Sequence, residues 1–216
     1  IGRASNYKGY MFVVPKLAEL TLIGSFPESL IITGNNISDS SIMIYLIGGN
    51  LNMYDGVVLE NNVGVYGQAV RINADTTGNW TYSHFIMYGG IIRNNIANDS
   101  GAGVKTTGTD SAFTMYGGVI VNNTSLLTPY GFDTTGGGVD TWRRTWIYGG
   151  KIINNKATKL SKQGYYGFSC GSAGYISADA IISDNYVIVS NIILNGLSTV
   201  NVGSTITLTA TVSPSN

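Results

Sequence analysis

The 216-residue chain carries 12 basic and 12 acidic side chains. With no net charge, no overall field directs it to nucleic acid or to an anionic membrane. Charged residues make up 11% of the chain, against roughly 25% in an ordinary soluble domain. Gly, by contrast, reaches 29 residues and Pro only 4, a composition suited to short strands and tight turns. Cys170 stands alone, which excludes an internal disulfide or a cysteine-rich zinc site and reads as a small buried apolar residue. No apolar run reaches the roughly 18 residues of a spanning helix, so no membrane insertion is expected in this segment. Opening at Ile1, without an initiator Met or a charged leader, the chain reads as a processed protein or an excised piece.

In chain order, YMFVV at Tyr10, ELTLIG at Glu19 and SLIITGNN at Ser29 are three strand-like runs bounded by Gly and Asn, and IMIYLIGG from Ile42 adds a partial turn. A motif then recurs four times: MYDGVVLENN at Met53, MYGGIIRNN at Met87, MYGGVIVNN at Met115 and IYGGKIINN at Ile147. Its tyrosines, Tyr54, Tyr88, Tyr116 and Tyr148, are 34, 28 and 32 residues apart, the signature of one structural unit repeated with loops of varying length. The fullest copy has three runs, GAGVKTT from Gly101, SAFTMYGG from Ser111 and VIVNN from Val119. The first of these returns as QAVRI at Gln68, GGVDT at Gly137 and, loosely, AGYIS at Ala173. A degenerate last coil carries IISDN from Ile181.

Three short strands in each repeat predict an all-β, right-handed parallel β-helix, a solenoid of about six coils over residues 1–186 and roughly 30 Å long at about 4.8 Å per stacked strand. A β-sandwich would need hairpin signals that this register lacks, and no capped helical stripe occurs. Alternation assigns the faces. With Tyr outward, Met53 and Leu51, Met87 and Phe85, Met115 and Phe113, and Ile147 and Thr145 point inward and stack like on like.

Two columns follow from this register. The second Asn of each pair, Asn62, Asn95, Asn123 and Asn155, with Asn185 as a fifth, forms a ladder of amides at a coil corner, where Asn also tolerates left-handed backbone. The outward Tyr54, Tyr88, Tyr116 and Tyr148, joined by Trp146, form a stripe that either stacks to stiffen the rod or offers sugar rings a platform.

The densest functional-looking cluster is DTWRRTW from Asp140, where Trp142 and Trp146 flank Arg143 and Arg144. With Tyr148 these residues are the candidate ligand site, because Arg forks beside aromatic faces suit a uronate or sulfated sugar. An exposed loop with Arg stacked on Trp is the plainer alternative. No catalytic residue is assigned. Asp55, Asp75, Asp99, Asp110, Asp133 and Asp140 are single and scattered, whereas glycoside hydrolysis needs paired carboxylates. His84, the lone histidine, reads as a satisfied strand-edge residue. Asp110 and Asp133 lie in Gly/Thr-rich loops, but no alternating oxygen-ligand run marks a metal site, and no cofactor is expected.

The GGGV strand, the F-x-M-x-GG strand and the I-x-x-N strand, in that order over about residues 45–186, resemble the right-handed parallel β-helix repeats of large bacterial surface proteins of the adhesin-like group. The last stretch, VIVSNIILNGLSTVNVGSTITLTATVSPSN from Val187, resembles the opening strands of a group 2 bacterial immunoglobulin-like domain. These resemblances imply a boundary near residue 187. They also imply an extracellular or cell-surface location and a non-catalytic stalk or binding rod whose partners are glycans or host and cell-surface macromolecules. A carbohydrate-active β-helix is the alternative.

Overall fold

The computed structural model describes residues 1–25, 27–74, 81–108, 110–126, 136–142, 144–157, 168–170, 174–183, 186–187, 189–195 and 209–214. Among them there is no helix, and the chain winds as a parallel β-solenoid. The first coil holds β1 (Phe12–Val14), β2 (Glu19–Leu22) and β3 (Leu30–Thr33). The second holds β4 (Ile44–Ile47), β5 (Asn50–Met53), β6 (Val57–Glu60) and β7 (Val63–Gly64). The third holds β8 (Val70–Asn73), β9 (Ser83–Met87), β10 (Ile91–Arg93) and β11 (Ile96–Ala97). The fourth holds β12 (Val104–Thr107), β13 (Ser111–Met115), β14 (Val119–Val121) and β15 (Thr124–Ser125). The fifth holds β16 (Val139–Thr141), β17 (Thr145–Ile147), β18 (Lys151–Ile153) and β19 (Lys156–Ala157). After these come β20 (Phe168–Cys170), β21 (Gly174–Ile176), β22 (Ile181–Ser183) and β23 (Tyr186–Val187), and then β24 (Val189–Asn195) and β25 (Thr209–Pro214).

Three sheets of six strands and one of five run along the rod, and every pairing from β1 to β23 is parallel. Four details differ from the sequence reading. From the second coil on, a fourth, two-residue strand follows the Asn pair, because the chain must turn once more to regain the first sheet. Complete and continuous four-strand turns number about four, β4–β19, rather than six, since the first coil lacks the fourth strand and the connections around β20 and β21 lie outside the described residues. IMIYLIGG is no partial turn: β4 is the first strand of the coil that carries Met53. AGYIS likewise belongs to the second sheet, where Tyr175 pairs with Trp146.

Packing explains the motif residue by residue. Inward columns Ile32–Leu59–Ile92–Ile120–Ile152 and Met53–Met87–Met115–Ile147 are fully buried, as are Phe85 and Phe113, whose rings meet at 5.3 Å. Burying each such side chain contributes about 1.5–3 kcal/mol. The second Gly of the motif lies at positive φ, +87° at Gly118, and a Cβ there would come within 2.6 Å of the Met87 methyl of the coil before. Gly90 stands in the same relation to Met53, and Gly150 to Met115. Positive φ and the backbone of the coil before, Gly90 O within 2.6 Å of a Cβ at Gly118, reserve this position for glycine, and the methionine methyl packs into the space it leaves. Thr145, at the Phe113 position of the fifth coil, is also buried, and its hydroxyl bonds Thr141 Oγ1 at 2.7 Å.

Strands β24 and β25 pair antiparallel, with a register irregularity between Val189 and Asn191.

Candidate functional site

Each Asn pair divides its labour. The first member, Asn61, Asn94, Asn122 or Asn154, takes the left-handed backbone at φ between 55° and 57°, which Asn adopts at lower cost than most residues. The second member turns inward and is fully buried at Asn62, Asn95, Asn123 and Asn155. Asn123 Oδ1 accepts from the Asn95 amide N–H at 3.1 Å and from Asn95 Nδ2 at 2.9 Å. Asn155 Oδ1 accepts from Asn123 in the same way, at 2.9 and 3.0 Å. From Asn95 on, each Nδ2 also donates to the preceding coil's backbone, Asn123 to Ile92 O and Asn155 to Ile120 O, both at 3.0 Å. The amides thus bond to the coils on both sides, not only to one neighbouring carbonyl. A buried amide with every group paired is favourable, while one left half-paired is costly. Asn185 lies outside the described residues.

The tyrosines stand on the outside, 37% exposed at Tyr54 and 50% at Tyr116. Tyr54–Tyr88, Tyr88–Tyr116 and Tyr116–Tyr148 ring centroids are 4.7, 5.4 and 5.0 Å apart, with interplanar angles of 14°, 7° and 10°. The stack passes on to Tyr175, tilted by 43°. Trp146 stands two residues earlier on its strand, in register with Thr114 and Tyr175. Because the rings lie nearly parallel, their faces cover one another and solvent meets edges and hydroxyls. A sugar ring stacks on an aromatic face, and the inner rings of this ladder present none. Gly56, Gly90 and Gly118, with Ile91, Val119, Glu28 and Asp55, line an open groove.

The tryptophan and arginine cluster is spread out by the fold. Trp142, 64% exposed, and Arg144 stand at the corner between the first and second sheets, Trp146 is half-buried on β17, and Tyr148 belongs to the ladder. Arg143 lies outside the described residues. Arg144 adopts φ +53°, and its guanidinium lies over the Tyr82 ring at 4.7 Å and 3.5 Å from Asp110 Oδ1. Its aromatic and acidic partners come from two earlier coils. Tyr82 and Asp110 were not legible as partners, because no local pattern links the corners of separate turns.

His84 on β9 is half-buried, its Nε2 2.8 Å from Thr114 Oγ1, and burial pushes its imidazole below the ordinary value. Arg93 is held by Glu28 at 3.0 Å and Glu60 at 2.7 Å, and its hydrogen bond to Glu28 raises its pKa above the usual arginine range. Asp55 Oδ1 accepts from the Gly90 N–H at 3.3 Å. Asp99 pairs with Lys105 at 2.6 Å, and Asp140 is buried. Asp75 and Asp133 lie outside the described residues, and Cys170 is in β20, its side-chain surroundings likewise outside them. Among the described residues, no three His, Cys, Asp or Glu side chains gather as a metal site would require.

No protein-family model, curated protein or solved structure matches the chain.

Proposed function

We propose that this chain is a non-catalytic segment of a bacterial cell-surface or secreted adhesin-like protein, acting as a rigid stalk or binding rod. The observation that carries the reading is the pair of continuous ladders, amides inside and tyrosines outside, that tie each turn to the next. Such ties stiffen the rod along its axis and dedicate the repeated residues to scaffolding. In this reading residues 187–216 open an immunoglobulin-like module, and the antiparallel pairing of β24 with β25 is consistent with its strands. The carboxylates support it too: Asp99, Asp110, Glu28 and Glu60 are each paired with a cation, an arrangement that serves cohesion between coils.

The carbohydrate-active alternative rests on Trp142, Arg143, Arg144, Trp146 and Tyr148. A glycan array together with a polysaccharide-degradation assay separates the two readings. Turnover of a polygalacturonate-like substrate overturns the stalk-or-rod reading. Binding without turnover identifies a binding rod, and Arg144→Ala then tests whether the tryptophan corner is the contact. A signal peptide or wall anchor encoded beside this segment would support the surface location, and a gene without either would count against it.

A further inference from the structure

On the outer face of the first sheet, Tyr45, Arg71, Lys105 and Asp140 stand in register on β4, β8, β12 and β16. Neighbouring strands are about 4.8 Å apart, so Tyr45 and Lys105 flank Arg71. Lys105 is committed to Asp99 at 2.6 Å, and Asp140 is buried with a partner of its own. Arg71 is different. Arg3, Arg93 and Arg144 each meet oxygen acceptors. Among the described residues no acceptor faces Arg71, whose guanidinium lies over the Tyr66 ring at 5.3 Å and whose Nε is buried without a partner.

Lys105 is balanced by Asp99, and the buried Asp140 offsets the remaining formal charge, so what Arg71 offers an anion is an unengaged guanidinium and not a net field. The Tyr66 ring lies under the guanidinium at 5.3 Å, and the planar arginine fork matches a carboxylate with two parallel N–H bonds. Next to it, the rings of Tyr45 and Tyr10 meet at 5.1 Å, tilted by 46°, and Tyr10 is 41% exposed. The Tyr45 hydroxyl accepts from Asn73 Nδ2 at 3.2 Å and keeps its own O–H to donate. Here, unlike between the inner ladder rings, the two faces are not laid parallel on one another.

We propose that this face binds a uronic acid residue of an acidic polysaccharide, with its carboxylate on the Arg71 fork and its ring against Tyr45 and Tyr10. The site is separate from the tryptophan corner, and it does not depend on whether the rod serves as an adhesin or as a passive stalk.

The test is calorimetric titration of the full chain with a short oligogalacturonate and with its methyl ester, which keeps the sugar rings and removes the charge. The acid form should bind, and esterification or Arg71→Gln should each weaken binding tenfold or more. Arg71→Lys, a point charge without the fork, should restore only part, and Arg144→Ala should change nothing. Absence of binding to the acid form, or equal binding by Arg71→Gln, overturns the proposal. Loss with Arg144→Ala in place of Arg71→Gln also overturns it and moves the site to the tryptophan corner. Since Arg71 meets no acceptor among the described residues and only the Tyr66 ring holds it, its replacement should change the melting temperature little. If the change is large, Tyr10→Ser removes exposed ring surface without touching Arg71, and full affinity in that variant overturns the proposal.

Discussion

Arg3 Nη2 donates to Asn62 Oδ1 at 3.1 Å and thereby completes the amide ladder at its first rung. In every later rung the acceptor Oδ1 is filled by the Asn of the coil before, but the first coil has no such residue inside. The guanidinium takes that place. It is 2% exposed and also donates to Ser41 O at 3.1 Å and to Gly9 O. Burial lowers its pKa, yet an arginine remains charged at neutral pH.

Replacing Arg3 by Met, which keeps the stem and removes the donors, should therefore cost about 1–3 kcal/mol by leaving buried oxygens unpaired. Amide exchange should quicken in β1–β3 and remain unchanged in β12–β15. Uniform exchange along the rod would show that Arg3 does not close the ladder.

The two asparagines of one pair should respond oppositely to substitution. Asn123→Ala strips the Asn95 amide and the Ile92 carbonyl of partners and should cost about 3 kcal/mol or more, as several buried groups lose their bonds together. Asn122→Gly should be nearly neutral, while Asn122→Val at φ +57° should cost about 1–3 kcal/mol in backbone strain. Chemical denaturation of the three variants checks the contrast.

Tyr116 stacks on two rings and Tyr54 on one. Substitution by Leu, which keeps apolar bulk, should cost about 1–3 kcal/mol at Tyr116 and about half as much at Tyr54, at about 0.5–1.5 kcal/mol for each ring pair. Equal losses would mean that the rings act independently. Near-ultraviolet circular dichroism should weaken in parallel with the loss of stacking.

His84 is the chain's single histidine, and burial favours its neutral form. The folded pKa lies below the unfolded one, so between the two the unfolded chain binds more protons and stability rises with pH. Stability should thus be constant above the ordinary imidazole value of about 6.5 and fall as pH drops through it toward the lower folded value. Compared from pH 7.5 downward, the melting temperature of wild type should fall relative to that of His84→Gln. A wild-type curve parallel to the variant's would exclude the imidazole as the cause.

The coil was legible because Met, Tyr, Gly and Asn each meet a fixed requirement at a fixed phase: an inward filler, an outward stack, a positive φ and a paired amide. The fourth strand escaped, since two residues are too short to show alternation. AGYIS was misplaced because Gly and one aromatic fit the first and second sheets equally well until Tyr175 finds Trp146 beside it. The partners of Arg144 and the isolation of Arg71 were invisible, for both depend on which residues of separate coils come to lie side by side. Arg3 gave no signal at all: it lies outside the repeat and acts on a residue 59 positions away.

Loop length varies at only two of the four corners. Between second and third sheet each full turn has three residues, and between third and fourth always two, whereas Leu126–Gly138 and Val65–Ala69 span very different distances at one and the same corner. The two invariant corners hold the tyrosine, glycine and asparagine columns, so an insertion there would break the alignment of every ladder crossing it. The other two corners interrupt no column. Change in length is therefore admitted along two edges of the rod and refused along the other two. Along the permissive edges new segments can be acquired one coil at a time, while the scaffold beneath them is inherited intact.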